Sequence, residues 1–369
     1  MGRFRLFCLL LATATLFSGC QGPTDPVAPD PPSSSLGVPP GPSTGSAHHM
    51  IVHLSLSQLE NSRALPGLVA GFDAFIYGHP GAFEDEVRRL EARGLESLRY
   101  FNVFHTDPLY PKWGGSYAEL HSILSAIGGW IRGVSYRYFS DPRQPDRIID
   151  HTRPEVTAEV AEIINHWAGV IGADRVFLDV TFDQLSDWMI QPGERWPWPP
   201  EAHERYNQRW RRNMQSLIDQ VEDSFPVMIN GSIELRAGTV LYENQVWNDN
   251  RGWSSWQGLV ERALARRTIP AVHVGHHLLR SWEIQAGETM ALAVWLLADE
   301  SYLLVESEGR PLAWAREIQS RGFQRFKASG PAVQTAPGVW RREGRIGNEL
   351  WVVEVDLVRE RGRVERAPN

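Results

Sequence analysis

Cysteine is almost missing from this chain of 369 residues: there are two, Cys8 and Cys20, both ahead of any segment able to build a core. A disulfide framework, a zinc-binding cysteine set and cysteine catalysis therefore have nothing to draw on if a leader ending before Cys20 is removed and the Cys20 thiol is acylated. Glycine signatures are missing too, with no convincing G-x-G-x-x-G or G-x-x-x-x-G-K-[ST] for a phosphate. There is no H-E-x-x-H for a metalloprotease and no G-x-S-x-G for a serine hydrolase. Positive charge is short: the formal net charge is −7, and −9 without Arg3 and Arg5. With no basic stripe, counterion release from a nucleic acid is not available, and no nucleic acid partner is expected. No internal repeat of solenoid length is present. The one long apolar run, residues 6–16, is too short to stay across a bilayer.

That run has another reading. Met1-Gly2-Arg3-Phe4-Arg5 precedes it, and Leu16-Phe17-Ser18-Gly19-Cys20 ends it. A basic start, a short apolar stretch and small residues before a cut describe a secretory signal. The ending resembles a bacterial lipobox, with Phe17 where the usual pattern has Leu. It implies a signal peptide over 1–19, lipid attachment at Cys20 and a membrane partner through that anchor. Gln21 after the cysteine points to the outer membrane of a Gram-negative bacterium. Residues 20–47 hold 8 prolines and almost no large apolar side chain. Such composition gives an extended tether rather than a core.

From residue 48 the pattern changes to apolar runs alternating with helical periodicity. Strands are expected at 69–78, 98–104, 147–151, 175–182, 226–231, 239–247, 269–274 and 302–306, with softer candidates at 53–59 and 130–136. Thr152-Arg153-Pro154-Glu155 reads as a capping box with proline in the first turn, opening a helix that runs to Gly172. Eight strands alternating with helices predict a (β/α)8 barrel over 48–330. An open doubly wound sheet is the competitor, and it would be expected to carry the missing glycine fingerprint. Residues 331–369 read as a C-terminal β-hairpin or small β appendage, from 338–342 (GVWRR) and 350–358 (LWVVEVDLV).

In such a barrel the active site belongs at the C-terminal strand ends. The fourth expected strand ends in Asp179-Val180-Thr181-Phe182-Asp183, and the sixth in Tyr242-Glu243-Asn244. A carboxylate inside an apolar run needs a reason, because burying it unpaired is costly. Two such acids converging on one rim are what glycosidic cleavage uses. Asp179 is read as nucleophile or base and Glu243 as proton donor; either acid also fits a structural role. Asp73, Asp183, Asn230, Tyr242 and His276 are candidates for substrate contact. Tryptophan adds to this: of 15, Trp196, Trp198 and Trp247 follow strand ends, where flat rings pack on sugar faces. Loop packing is the alternative for each. His79, His105, His151, His273, His276 and His277 lie near expected strand ends, but their spacing favours hydrogen bonding over a metal site. No metal and no cofactor is called for.

Residues 147–153 (RIIDHTR) with Pro154-Glu155, followed by 172–179 (GADRVFLD), resemble glycoside hydrolase-like barrel families distantly related to endo-α-1,4-polygalactosaminidase. Gly330-Pro331 with 338–342 and 350–355 is similar to the C-terminal hairpin of those families. The resemblance covers most of residues 70–358 through short motifs. It implies a barrel with Asp179 at the catalytic strand end, and Glu243 matches more loosely. Val180 departs, standing where those families often carry Asn, and so does 346–349 (IGNE). The expected function is hydrolysis of an extracellular or cell-envelope polysaccharide by the carboxylate pair. A non-catalytic carbohydrate-binding lipoprotein on the same fold is the alternative.

Overall fold

A computed structural model describes residues 48–368, apart from 55–57, 60, 62, 79–82, 108–114, 138–144, 232–233, 244–255, 266–268, 275–280 and 308. Of Tyr242 and Glu243 it describes the backbone. Cys20, the tether, Trp247 and His276 lie outside the described residues.

Short, mostly apolar strands pair in parallel until the sheet meets itself. The strands are β1 (His48–Leu54), β2 (Ala74–Tyr77), β3 (Glu96–Asn102), β4 (His105–Thr106), β5 (Trp130–Ser135), β6 (Arg147–Ile149), β7 (Arg175–Thr181), β8 (Val227–Gly231), β9 (Thr239–Glu243), β10 (Ile269–Val274) and β11 (Ser301–Glu306). Eight of them close a barrel in the order β1-β11-β10-β9-β8-β7-β3-β2. The fold is a (β/α)8 barrel, and the doubly wound sheet is excluded. One strand was expected in the wrong place. The run at 147–151 is β6, held between β4 and β5 in a separate antiparallel sheet, and β1 takes its place in the barrel. Ile148 and Ile149 are fully buried there, so a short apolar run is satisfied by either sheet.

The period of two along each strand sorts the side chains. Ile51, Ala74, Ile76, Leu98, Phe177, Met228, Leu241, Ala271, Tyr302 and Leu304 pack as one cluster inside the barrel, filling it as a core rather than a pore. The other faces pack under the helices: α1 (Leu65–Val69), α2 (Glu84–Glu91), α3 (Gly115–Ile127), α4 (Pro154–Ile171), α5 (His203–Glu222), α6 (Trp256–Leu264), α7 (Ser281–Leu297) and α8 (Gly309–Arg321). Helix α5 shows the pattern plainly: Trp210, Met214, Leu217, Ile218 and Val221 are buried at helical spacing. Each contributes about 1.5–3 kcal/mol of apolar burial. Helix α4 ends on Gly172 in the left-handed conformation, as its sequence promised. Its start differs, since Arg153 is the N-cap and makes no side-chain cap. The capping box does not form because the Thr152 hydroxyl donates instead to Asp150 Oδ1, at 2.5 Å.

The C-terminal appendage is larger than a hairpin. Strands β12 (Lys327–Ala328), β13 (Val333–Ala336), β14 (Val339–Ile346), β15 (Glu349–Asp356) and β16 (Arg361–Arg366) form one antiparallel sheet. Trp351, Val353 and Val355 bury one face in the same cluster as Trp295 of α7. Gly362 lets β16 approach α7 closely: a Cβ there would stand 2.5 Å from the Thr289 carbonyl oxygen. No helix among the described residues is long and apolar enough to cross a membrane.

Candidate active site

Parallel strands bring their C-terminal ends to one rim, and the first inward position above the apolar cluster falls there. Asp179 follows Phe177 by two residues on β7 and sits half-buried. Tyr100, on neighbouring β3, donates its hydroxyl to Asp179 Oδ2 at 2.6 Å. Asn230, on β8, donates through Nδ2 to Oδ1 at 2.7 Å, and the Val180 backbone N–H reaches the same oxygen at 2.9 Å. Both carboxylate oxygens are therefore acceptors in fixed positions, with no arginine or lysine among these donors.

Local backbone makes this arrangement. Val180 adopts φ +59°, a left-handed conformation that a β-branched residue enters only under constraint. Register against β8 shifts between Leu178 and Thr181 at this point. The Thr181 hydroxyl donates to the Asn230 carbonyl at 2.8 Å, closing the kink. Opposite it, Gly231 has φ +148°, and a Cβ there would lie 2.5 Å from the Thr181 carbonyl oxygen. The two strand ends fit only with glycine at that position.

The rim continues through β9, β10, β11 and β1. Glu243 ends β9 in register with His273 on β10, and its carboxyl lies outside the described side chains. His273 Nε2 stands 3.1 Å from Glu306 Oε1, and His53 Nδ1 stands 3.6 Å from Glu306 Oε2. Burial alone would push the His53 imidazole down, but the Glu306 carboxylate overrides it and raises it above the ordinary histidine value. Burial also works against ionised Glu306, yet the two imidazoles hold it well below the usual carboxylate range. Among the described residues, no group of three His, Cys, Asp or Glu is placed to hold a metal ion.

Several candidates fall elsewhere. Asp73 precedes β2 and accepts the Met50 N–H at 2.8 Å, so it stands at the N-terminal end of the barrel, opposite Asp179. Burial raises its carboxyl, with the Met50 bond opposing; it ties β1 to β2 and is corrected from a substrate contact to a structural group. Asp183 is buried and paired to Arg211 Nη2 of α5 at 3.0 Å, an anchor for the loop after β7. Trp198 stacks against Trp196 at 5.4 Å and against Tyr206 at 4.3 Å. Both indole N–H groups are engaged, Trp196 with Asp187 and Trp198 with His203. These contacts stiffen the loop; Trp196 is buried and closed to a sugar, whereas Trp198 stays partly exposed. Asn230 does meet Asp179.

Sequence reasoning missed Tyr100, His53 and Glu306 and left His273 unassigned. Glu306 carried the signal that exposed Asp179, an acid closing an apolar strand (YLLVE). Tyr100 carried none, since a tyrosine in a strand reads as core.

No family model and no curated protein matches the chain. Similar solved structures include the glycoside hydrolase domain of PelA from Pseudomonas aeruginosa, 16% identical with TM-score 0.44, covering 73% of this chain and 96% of that one. TtGalA, an α-galactosidase from Thermus thermophilus, is 14% identical with TM-score 0.47, covering 86% and 67%. The GH36 α-galactosidase AgaA from Geobacillus stearothermophilus is 10% identical with TM-score 0.44, covering 84% of this chain. This chain spans about 47% of that enzyme's length. The neighbours are glycoside hydrolases by name, and the likeness is one of fold.

Proposed function

We propose that this chain is a glycoside hydrolase acting on an extracellular or cell-envelope polysaccharide, held at the membrane through Cys20. Asp179 serves as nucleophile or base and Glu243 as proton donor. The observation that carries this reading is the fixing of Asp179 at the C-terminal rim by Tyr100, Asn230 and the Val180 N–H. A carboxylate positioned in advance by donors on three sides is suited to meet charge developing at an anomeric carbon. Glu243 ends β9, with β8 between that strand and β7, a strand-end position that supports its reading as the second acid.

Activity is tested by incubating the purified chain with a panel of neutral and amino-sugar bacterial polysaccharides and following new reducing ends. Release from at least one polymer is the expected result; binding with no release across the panel would favour a non-catalytic carbohydrate-binding protein. For the anchor, Cys20→Ser should move the protein from the membrane fraction or block its processing. Unchanged mass and fractionation would remove the lipid anchor from the reading.

A further inference from the structure

The rim carries more than the Asp179 group. Three side chains from adjacent strands meet there: His53 on β1, Glu306 on β11 and His273 on β10. Each follows an interior residue by two positions, Ile51, Leu304 and Ala271 respectively, so the three stand on the apolar floor of the barrel. His53 and Glu306 are direct register partners across β1 and β11. Glu306 has one oxygen toward each imidazole, at 3.1 Å and 3.6 Å. His53 and Glu306 are partly exposed at 32% and 24% of their side-chain surface, whereas His273 is buried at 8%. The sector therefore opens to solvent through His53 and Glu306.

Nothing in the proposed carboxylate mechanism uses this group. Its charges are balanced internally: the only carboxylate of the three has both oxygens committed to imidazoles. His53 spends Nδ1 on Glu306, and its Nε2 has no hydrogen-bond partner among the described residues. Asp179 acts electrostatically on His53, and both stand at the C-terminal strand ends of the same closed barrel. A ligand spanning both would meet an imidazole N–H donor and a carboxylate acceptor above an apolar floor. That combination reads hydroxyl groups above a ring face.

We propose that the β1–β10–β11 sector is a sugar-binding subsite for an uncharged ring, with His53 Nε2 donating to a ring hydroxyl and Glu306 fixing the orientation of His53. The inference rests on the carbohydrate reading above and adds to it the charge class of the sugar. An acidic sugar would set its carboxylate against Asp179 and Glu306. A cationic sugar would set its charge against the His53 imidazole, which Glu306 favours in the protonated form while committing both of its oxygens to the two imidazoles. Burying a charge without a partner is costly, whereas hydroxyls need only the donors and acceptors already there.

The test is calorimetric titration of the purified full chain with three sets of oligosaccharides: neutral gluco- and galacto-oligosaccharides, oligouronates, and de-N-acetylated amino-sugar oligosaccharides. Neutral oligosaccharides should bind best, with an affinity little changed between low and high salt. His53→Ala should weaken that binding by about ten- to a hundredfold, the loss of a single hydrogen bond from a charged donor. His53→Gln, which keeps an N–H donor, should recover part of it, and thermal melts should show both variants folded. Preference for either charged set, or equal neutral binding by His53→Ala, would overturn this subsite while leaving the carbohydrate reading in place. Failure of all three sets to bind would overturn both.

Discussion

Asp179 shows how much one carboxylate depends on the backbone around it. Its Oδ1 contacts come from Asn230 and from Val180, one on each side of the kink that Gly231 permits. Gly231→Ala forces a Cβ to 2.5 Å of the Thr181 oxygen and 2.7 Å of its carbon. Backbone rather than a flexible side chain would have to yield, so the expected cost is roughly 3 kcal/mol, at the upper end for overpacking with a strained backbone. Denaturant midpoints of the two proteins check this; equal midpoints would mean that the kink relaxes freely. Much of this site was legible residue by residue, and the reason is local. Asp179 stood out because an acid closed an apolar run, and Asn230 because it ended a strand. Asp73 misled because the same rule was applied to a residue that lies before its strand, at the other end of the barrel. Trp196 misled because sequence does not show which aromatic faces are already covered.

Elements were legible where their signals were local and long. Helix α4, with Pro154 at one end and Gly172 at the other, is as its sequence describes. Strands β1 and β6 were exchanged because HHMIVHL, with its three histidines, hides a barrel strand, while RIIDH displays an apolar run. The joint between barrel and appendage was not legible, since it depends on a long-range contact. Arg342 of β14 is buried and donates to the Leu297 carbonyl at 2.8 Å, to Asp299 Oδ1 at 2.5 Å and to the Gly330 carbonyl at 3.1 Å. Its cation lies at the C-terminal end of α7, where the helix dipole favours positive charge. Arg342→Ala leaves the buried Leu297 carbonyl unpaired and removes the ion pair to half-exposed Asp299, so destabilisation of about 1–3 kcal/mol is expected. Arg342→Lys should recover only part, since one ammonium cannot reproduce the planar fork. Chemical denaturation of the three proteins measures this, and a fully stable Arg342→Ala would show that the joint holds by apolar packing alone.

The molecule as a whole should be sensitive to acid through two buried histidines. His48 is pushed down to about 4 by burial and then by nearby Arg342. His151 is pushed down to about 4 by burial, with its bond to the Val103 carbonyl opposing. Unfolded histidine titrates near 6.5, so between about pH 6.5 and 4 the unfolded chain binds more protons than the folded one. Stability from these groups is complete above that window and falls as pH drops through it, by about 3 kcal/mol for each. His53 acts in the opposite sense: its value is raised, so its contribution is present at low pH and lost as pH rises through the folded value. Urea midpoints from pH 7.5 to 4.5 should fall steadily, and His151→Asn should flatten the slope while lowering overall stability. A flat profile in the parent protein would contradict the neutral burial of His48 and His151.

At the same scale the barrel gathers strand ends that are far apart in sequence, which is how Asp179 and Glu243 come to share a rim with Glu306. The most direct test of the proposed activity is the hydrolysis rate of Asp179→Asn and Glu243→Gln on a polysaccharide from which the parent is first shown to release reducing ends. These exchanges hardly alter volume, so both variants should melt like the parent. Each should cleave more slowly by about 10²–10⁴-fold, the usual worth of general acid–base assistance. Folded variants that hydrolyse the polymer at near-parental rates would contradict the assignment of Asp179 and Glu243.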